Sequence, residues 1–262
     1  MSRGNFLRIF RIGLLLYLLA MVVLGAWLSR SRSTDWDATL WVAVYPINAD
    51  GSDVTADYIA RLRIENFQDI NDFVAGEARR YGVELDDPVT MELADLVAEQ
   101  PPATPVGGHA IAVMWWSLRL RYWAWRIERA QARPAPDVQM FVRYHDPAIT
   151  PALTHSVGLQ KGLIGVVNAF AKRDMTGENN FVIAHELLHT LGATDKYDAE
   201  TTLPGYPDGY ADPERDPLHP QKQAELMGGR IPISISQADM PESLRQVVVG
   251  PATAREINWT NN

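Results

Sequence analysis

The sequence predicts an α+β domain preceded by an apolar N-terminal segment, and three observations carry that prediction. Four runs rich in β-branched and aromatic residues alternate with longer stretches of helical periodicity. Hydrophobic residues make up 47% of the 262 positions, enough for a packed core. The charge is divided. Residues 1–32 hold five arginines and no acid, which leaves −13 on the remainder of a chain whose net charge is −8. An acidic body of that kind argues against nucleic acid as the partner. The absence of cysteine removes disulfides, thiolate zinc sites and a cysteine nucleophile together.

The first element is the run Ile12–Leu28, 17 uncharged and almost wholly apolar residues. As a helix it would span about 25 Å, the short end of what crosses a bilayer. Arg3, Arg8 and Arg11 precede it, which favours a cytoplasmic N-terminus, although Arg30 and Arg32 follow. The competing reading is a cleaved signal peptide, but the run exceeds the usual apolar core and no A-x-A site follows. The expectation is an uncleaved transmembrane signal-anchor within residues 1–34. It makes the membrane a partner through residues 12–28 and leaves residues 35–262 outside the cytoplasm, in the periplasm if the source is a Gram-negative bacterium.

In the body, Thr39–Ile47 reads as a buried strand. Asp53–Val83 reads as one long helix, with Ile59, Leu62, Phe67, Ile70, Phe73 and Val74 at helical spacing. Pro88–Val97 reads as a second strand and Gln100–Gly108 as a breaker-rich loop. Met114–Ala130 carries Trp115, Trp116, Trp123 and Trp125. It reads as a helix because it is long and free of Gly and Pro. A helix of tryptophan and arginine could rest on a membrane surface. The expected role is plainer: it covers a sheet, with arginine stems along its edges. Asp137–His145 and Gly162–Ala171 read as strands. A helix follows over Glu178–Leu191, with Asp174 or Thr176 as its cap. Leu203–Pro220 holds five prolines and reads as a long loop or flap. Its acids, with Asp198, lack EF-hand spacing and read as solvated. Gly250–Trp259 reads as a short C-terminal helix.

The chemistry concentrates in His185–Asp195, "HELLHTLGATD". Residues i and i+4 of a helix lie one above the other, so His185 and His189 present both imidazoles to one point, which suits zinc. Glu186 stands about 100° further round the axis, beside an open coordination position, where a base for an attacking water belongs. Gly192 can turn the chain sharply at the helix end and bring Asp195 back. Two histidines, a carboxylate and one open position are the expected set for catalytic zinc. Asp195 is the favoured third ligand; Glu200, Glu214, Glu225 and His219 stand as alternatives.

These eleven residues resemble the extended H-E-x-x-H-x-x-G-x-x-D signature of metzincin-type zinc metallopeptidases that use aspartate as third ligand, the snapalysin-like enzymes among them. "GATDKYD" is similar to the G-L-P-D-x-Y-D of immune-inhibitor-A-like peptidases. The resemblance implies a zincin fold: a twisted mixed sheet with an antiparallel edge strand, an active-site helix, a Met-turn and a C-terminal helix. It places Met227 of "AELMGG" in the Met-turn. Metzincins often carry a tyrosine shortly after that turn, and "MGGRIPISIS" has none, so Tyr197, Tyr206 and Tyr210 remain open for the part. The function implied is a membrane-anchored, extracytoplasmic zinc endopeptidase with a peptide or protein substrate, Zn2+ on His185, His189 and Asp195, and Glu186 as general base. The substrate is expected to pair as an added strand with Gly162–Ala171. The rival is a catalytically idle zincin-fold module tethered to the membrane for binding or assembly.

Overall fold

The computed structural model describes residues 11–13, 16–17, 34–105, 109–153, 156–159 and 162–260. Its centre is a five-stranded mixed sheet in the order β2-β1-β3-β5-β4. The strands are β1 (Leu40–Asn48), β2 (Val89–Leu93), β3 (Val138–His145), β4 (Val157–Leu159) and β5 (Ile164–Phe170). Neighbours from β2 to β5 run parallel, and β4 alone is antiparallel, pairing Gly158 with Gly165. The parallel connections require crossover helices, which cover both faces of the sheet.

Alternation along β1 divides the core in two. Val42 and Val44 point into one layer with Met140, Val142 and Val167. Ala43, Tyr45 and Ile47 point into the other with Phe141 and Ile164. The first layer is closed by α1 (Asp53–Ala60), α2 (Gln68–Arg80), α4 (Thr176–Leu191) and the C-terminal α5 (Pro251–Glu256). The second is closed by α3 (Ala110–Ala130), whose Trp123 packs on Phe141 with ring centroids 4.5 Å apart.

Several expectations need correction. The transmembrane helix and the single-pass placement built on it are not supported. Among the described residues no helix is long and apolar enough to cross a membrane. Of the run 12–28, only residues 12, 13, 16 and 17 are described, in helical conformation, and the rest lies outside the described residues. The longest described helix, α3, has 21 residues but carries five charges. A span needs about 20 predominantly apolar residues.

The helix expected over Asp53–Val83 is broken. After α1 the chain turns, Arg63 is extended, and a 3-10 turn over Ile64–Phe67 precedes α2. Asn66 explains the break, because its Oδ1 accepts from the Arg63 amide at 2.8 Å and so competes with the helix for that donor. Helix α4 starts at Thr176 with no side-chain cap; the Thr176 hydroxyl donates to the Arg173 carbonyl instead. Strand β5 has β3 on one side and β4 on the other. No edge of β5 is free for an extended substrate, and the exposed edge on that side belongs to β4.

Candidate metal centre

Helix α4 passes beneath β4 and β5 and is buried along most of its length. Phe181, Ile183, Ala184, Leu187, Leu188 and Leu191 fix it in the core. With the apolar positions anchored, the four-residue spacing sets His185 and His189 side by side, ring centroids 4.7 Å apart and nearly perpendicular. The helix stops at Gly192, which adopts φ 112° in the left-handed region. The Ala193 amide then reaches back to the Leu188 carbonyl at 3.0 Å. That turn returns Asp195 to the histidines. Asp195 Oδ1 stands 3.0 Å from His189 Nε2 and 3.2 Å from His185 Nε2, and the two Nε2 atoms are 3.1 Å apart.

The other ring nitrogens are committed. His185 Nδ1 donates to the Leu226 carbonyl at 2.9 Å, and His189 Nδ1 donates to the Ala193 carbonyl at 2.8 Å. Each imidazole thus carries a proton on Nδ1, and in the neutral form its Nε2 is bare. Two lone pairs and a carboxylate oxygen then face one another at about 3 Å. Such atoms repel unless a proton or cation sits among them. Zinc bonds of about 2.0–2.1 Å give tetrahedral edges of about 3.3 Å, close to the observed triangle. His185, His189 and Asp195 thus form a group that could hold a metal ion. The carbonyl behind each imidazole is the outer support that metal-binding histidines ordinarily have.

Glu186 is buried, and its Oε2 has no hydrogen-bond partner among the described residues. Burial raises its carboxyl pKa above the usual range; the histidines and the Gly158 amide pull against that, and Asp195 adds to it. Burial would lower the His189 pKa, but Asp195, Glu186 and the Ala193 carbonyl outweigh it and raise the pKa. Burial would also raise Asp195, yet the two imidazoles hold it well below the ordinary carboxylate range.

Of the three tyrosines left open, the fold brings Tyr197 to the site. Its ring lies 6.2 Å from that of His185, and its phenol faces Asp195. Burial first, and then the negative Asp195 and Glu186, push the phenol up to about 12. Two clefts meet at Glu186 and Tyr197. One, of about 340 Å³, runs past Phe181, Val182, Gly228 and Met240. The other, of about 430 Å³, runs past Ser156, Gly158, Asp195 and Ala199.

Neither the scan against protein-family models nor the search of curated proteins finds a match for this chain.

The alternative third ligands are placed elsewhere. Glu200 and Glu214 are exposed. His219 Nε2 is 3.1 Å from the Tyr210 hydroxyl. Glu225 is fully buried and accepts from Gly228 N, Gly250 N and the Thr253 hydroxyl at 2.7–2.9 Å. It caps the turn Leu226–Gly228, which holds the fully buried Met227 and presents the Leu226 carbonyl to His185.

Three supporting residues have no local signal in the sequence. Gly158 is one: a Cβ there would lie 2.5 Å from His189 Cβ and 2.7 Å from the Glu186 carbonyl oxygen, so β4 approaches α4 as only glycine allows. Lys196 and Glu256 are the others. Glu256 accepts from Lys196 Nζ at 2.7 Å, from the Thr194 hydroxyl at 2.6 Å and from the Thr194 amide at 2.9 Å. Both neighbours of Asp195 are therefore tied to α5.

Proposed function

We propose that this chain is a zinc-dependent endopeptidase. The observation that carries the reading is the convergence of His185, His189 and Asp195 at 3.0–3.2 Å, with an unpartnered carboxylate oxygen of Glu186 one residue along the same helix. The nitrogen and oxygen donors, with no sulfur, suit zinc. When bound, zinc would polarise the scissile carbonyl and lower the pKa of a water. Glu186 takes the proton of the attacking water and hands it to the leaving amine. Burial raises its pKa, which makes it a better proton acceptor than an exposed carboxylate. Tyr197, whose phenol keeps its proton over the working range, is placed to donate to the oxyanion that develops. An extended substrate adds along β4, the strand with an open edge, and fills the clefts on either side of Glu186.

The test is peptide-library hydrolysis by the purified full chain, with and without a chelator, alongside Glu186→Gln. Chelation should abolish turnover. The variant should bind as much zinc as the parent and turn over about 10²–10⁴ times more slowly. Full activity in Glu186→Gln removes the residue as base. Zinc bound by the parent without hydrolysis of any library member would leave the idle binding module as the better reading.

A further inference from the structure

Helix α3 has two apolar faces, and one of them is uncovered. Trp116, Leu120, Trp123 and Ala124 are buried against the sheet. On the far side, at 100° per residue, Ile111, Met114, Trp115, Leu118, Tyr122 and Trp125 fall within a sector about 100° wide. They are 70%, 52%, 60%, 50%, 64% and 47% exposed. Together they put on the order of 600 Å² of side chain into water, at or above the largest patch a monomer ordinarily tolerates. Their spacing follows the helix, so the stripe is one surface and not scattered single residues.

The borders of the stripe are basic. On the same geometry Arg119 and Arg126 flank one side, Arg126 being paired with Glu99, Arg121 flanks the other, and Arg129 prolongs the stripe beyond Trp125. The Arg129 guanidinium lies over the Trp125 ring, 4.8 Å from its centroid. The helix's one acid, Glu128, is turned inward to Gln139 Nε2 at 3.0 Å. A chain of net charge −8 thus carries four arginines around one exposed aromatic stripe.

Charge decides between the surfaces that could meet it. A second copy docked face to face would set arginine borders against arginine borders. The apolar run 12–28 carries no acid to answer them. An anionic lipid surface answers both features: tryptophan and tyrosine rings enter the headgroup region, and arginines reach outward to phosphates. We propose that the outer face of α3 seats in the plane of an anionic lipid bilayer, penetrating the interface without spanning it. The sheet lies between α3 and α4, so the metal group stays on the side away from the lipid.

The test uses the full chain, whose lack of cysteine allows a single label. Leu118→Cys carries an environment-sensitive fluorophore, and Ser236→Cys, exposed on a separate hairpin, carries the control. Vesicles contain phosphatidylcholine with about 30 mol% phosphatidylserine. The label at 118 should shift to the blue and be quenched by nitroxide lipids, and the label at 236 should do neither. Arg119→Ser with Arg126→Ser should weaken that response at least tenfold, and so should raising salt to about 0.5 M. A label at 118 that stays in water on vesicle-bound protein overturns the proposal, because attachment then lies elsewhere. A label already shielded without vesicles overturns it as well. Shielding that grows with protein concentration identifies a second copy, and shielding independent of it identifies a segment of the same chain. Equal response to vesicles of phosphatidylcholine alone overturns the anionic surface.

Discussion

Helices α3 and α4 cover opposite faces of one sheet, yet their outer sides are treated differently. Eleven of the sixteen residues of α4 are buried, polar ones included. Asn179 exchanges both its amide groups with Phe170, and Asn180 donates to the Asn66 carbonyl at 2.7 Å. Leu226, Met227, Leu244, Val249 and Ile257 close over its outer side. Helix α3 has one covered side and one bare side. The comparison shows where each sequence is constrained. In α4 every polar atom must find a partner inside the fold, because an unanswered buried group costs about 1–3 kcal/mol. The exception is Glu186 Oε2, which sits where the chemistry is proposed. The outer side of α3 is exposed, and none of the described residues covers it.

The largest expected effect separates the two faces of α3. Trp123→Ala should cost about 3–5 kcal/mol in urea unfolding, because it empties a buried site beside Phe141 and Leu120. Its indole N–H has no acceptor among the described residues, so the loss is one of packing. Trp125→Ala, two residues along, should change stability by about 0.5 kcal/mol or less. Equal costs would mean that both faces are structural, and the contrast between the helices would fail.

A smaller effect sharpens the α4 side. Asp195→Ala should weaken zinc binding tenfold or more, by comparison with the roughly 10–100-fold cost of losing an outer-shell partner. Glu214→Ala and His219→Ala should leave it nearly unchanged, since the first is exposed and the second faces Tyr210. Zinc titration by calorimetry reads all three, and the opposite order would remove Asp195 from the group.

The smallest effect belongs to the bend that follows β1. Burial would raise Asp50, but hydrogen bonds from the Asp146 amide, Ser52 and Thr55 hold it down, from 3.8 to about 2. The folded state therefore binds this proton less readily than the unfolded chain. The stabilisation is complete above about pH 4 and is lost as pH falls through about 2. Asp50 is partly exposed, so solvent screens the contribution. Asp50→Asn should flatten the acid limb of a stability–pH curve slightly, with the small loss of stability full near pH 7 and absent below about pH 2. A loss that persists unchanged below about pH 2 would show that the carboxylate acts through something other than its charge.

What was legible in the sequence follows the range of the forces involved. Strands β1, β3 and β5 are buried on both faces, so they appear as continuous apolar runs. The group of His185, His189 and Asp195 was legible because a four-residue step and a glycine stop are local geometry. Strand β4 was not, since three residues hold their shape only by pairing with β5 and by the missing side chain of Gly158. The break before α2 was hidden because Asn66 acts on the backbone of Arg63, which no hydrophobic period records. Tyr197 could not be singled out from Tyr206 and Tyr210, because the loop that carries it is set by the Lys196 amide on the Met227 carbonyl, 31 residues away. The apolar stripe of α3 is visible in the sequence, but which of its two faces the sheet would take is not.

The hold of Glu256 on Thr194 and Lys196 has a consequence in time. A chain leaves the ribosome from its N-terminus, so His185, His189 and Asp195 emerge 61–71 residues before Glu256. Until α5 arrives, the segment carrying Asp195 lacks its tether, and Glu225 lacks Gly250 and Thr253. The two histidines can meet on a nascent helix, while the geometry of the third donor waits for α5. The order of emergence thus works as a timer: the group that could hold a metal ion takes its full support only once α5 has been made.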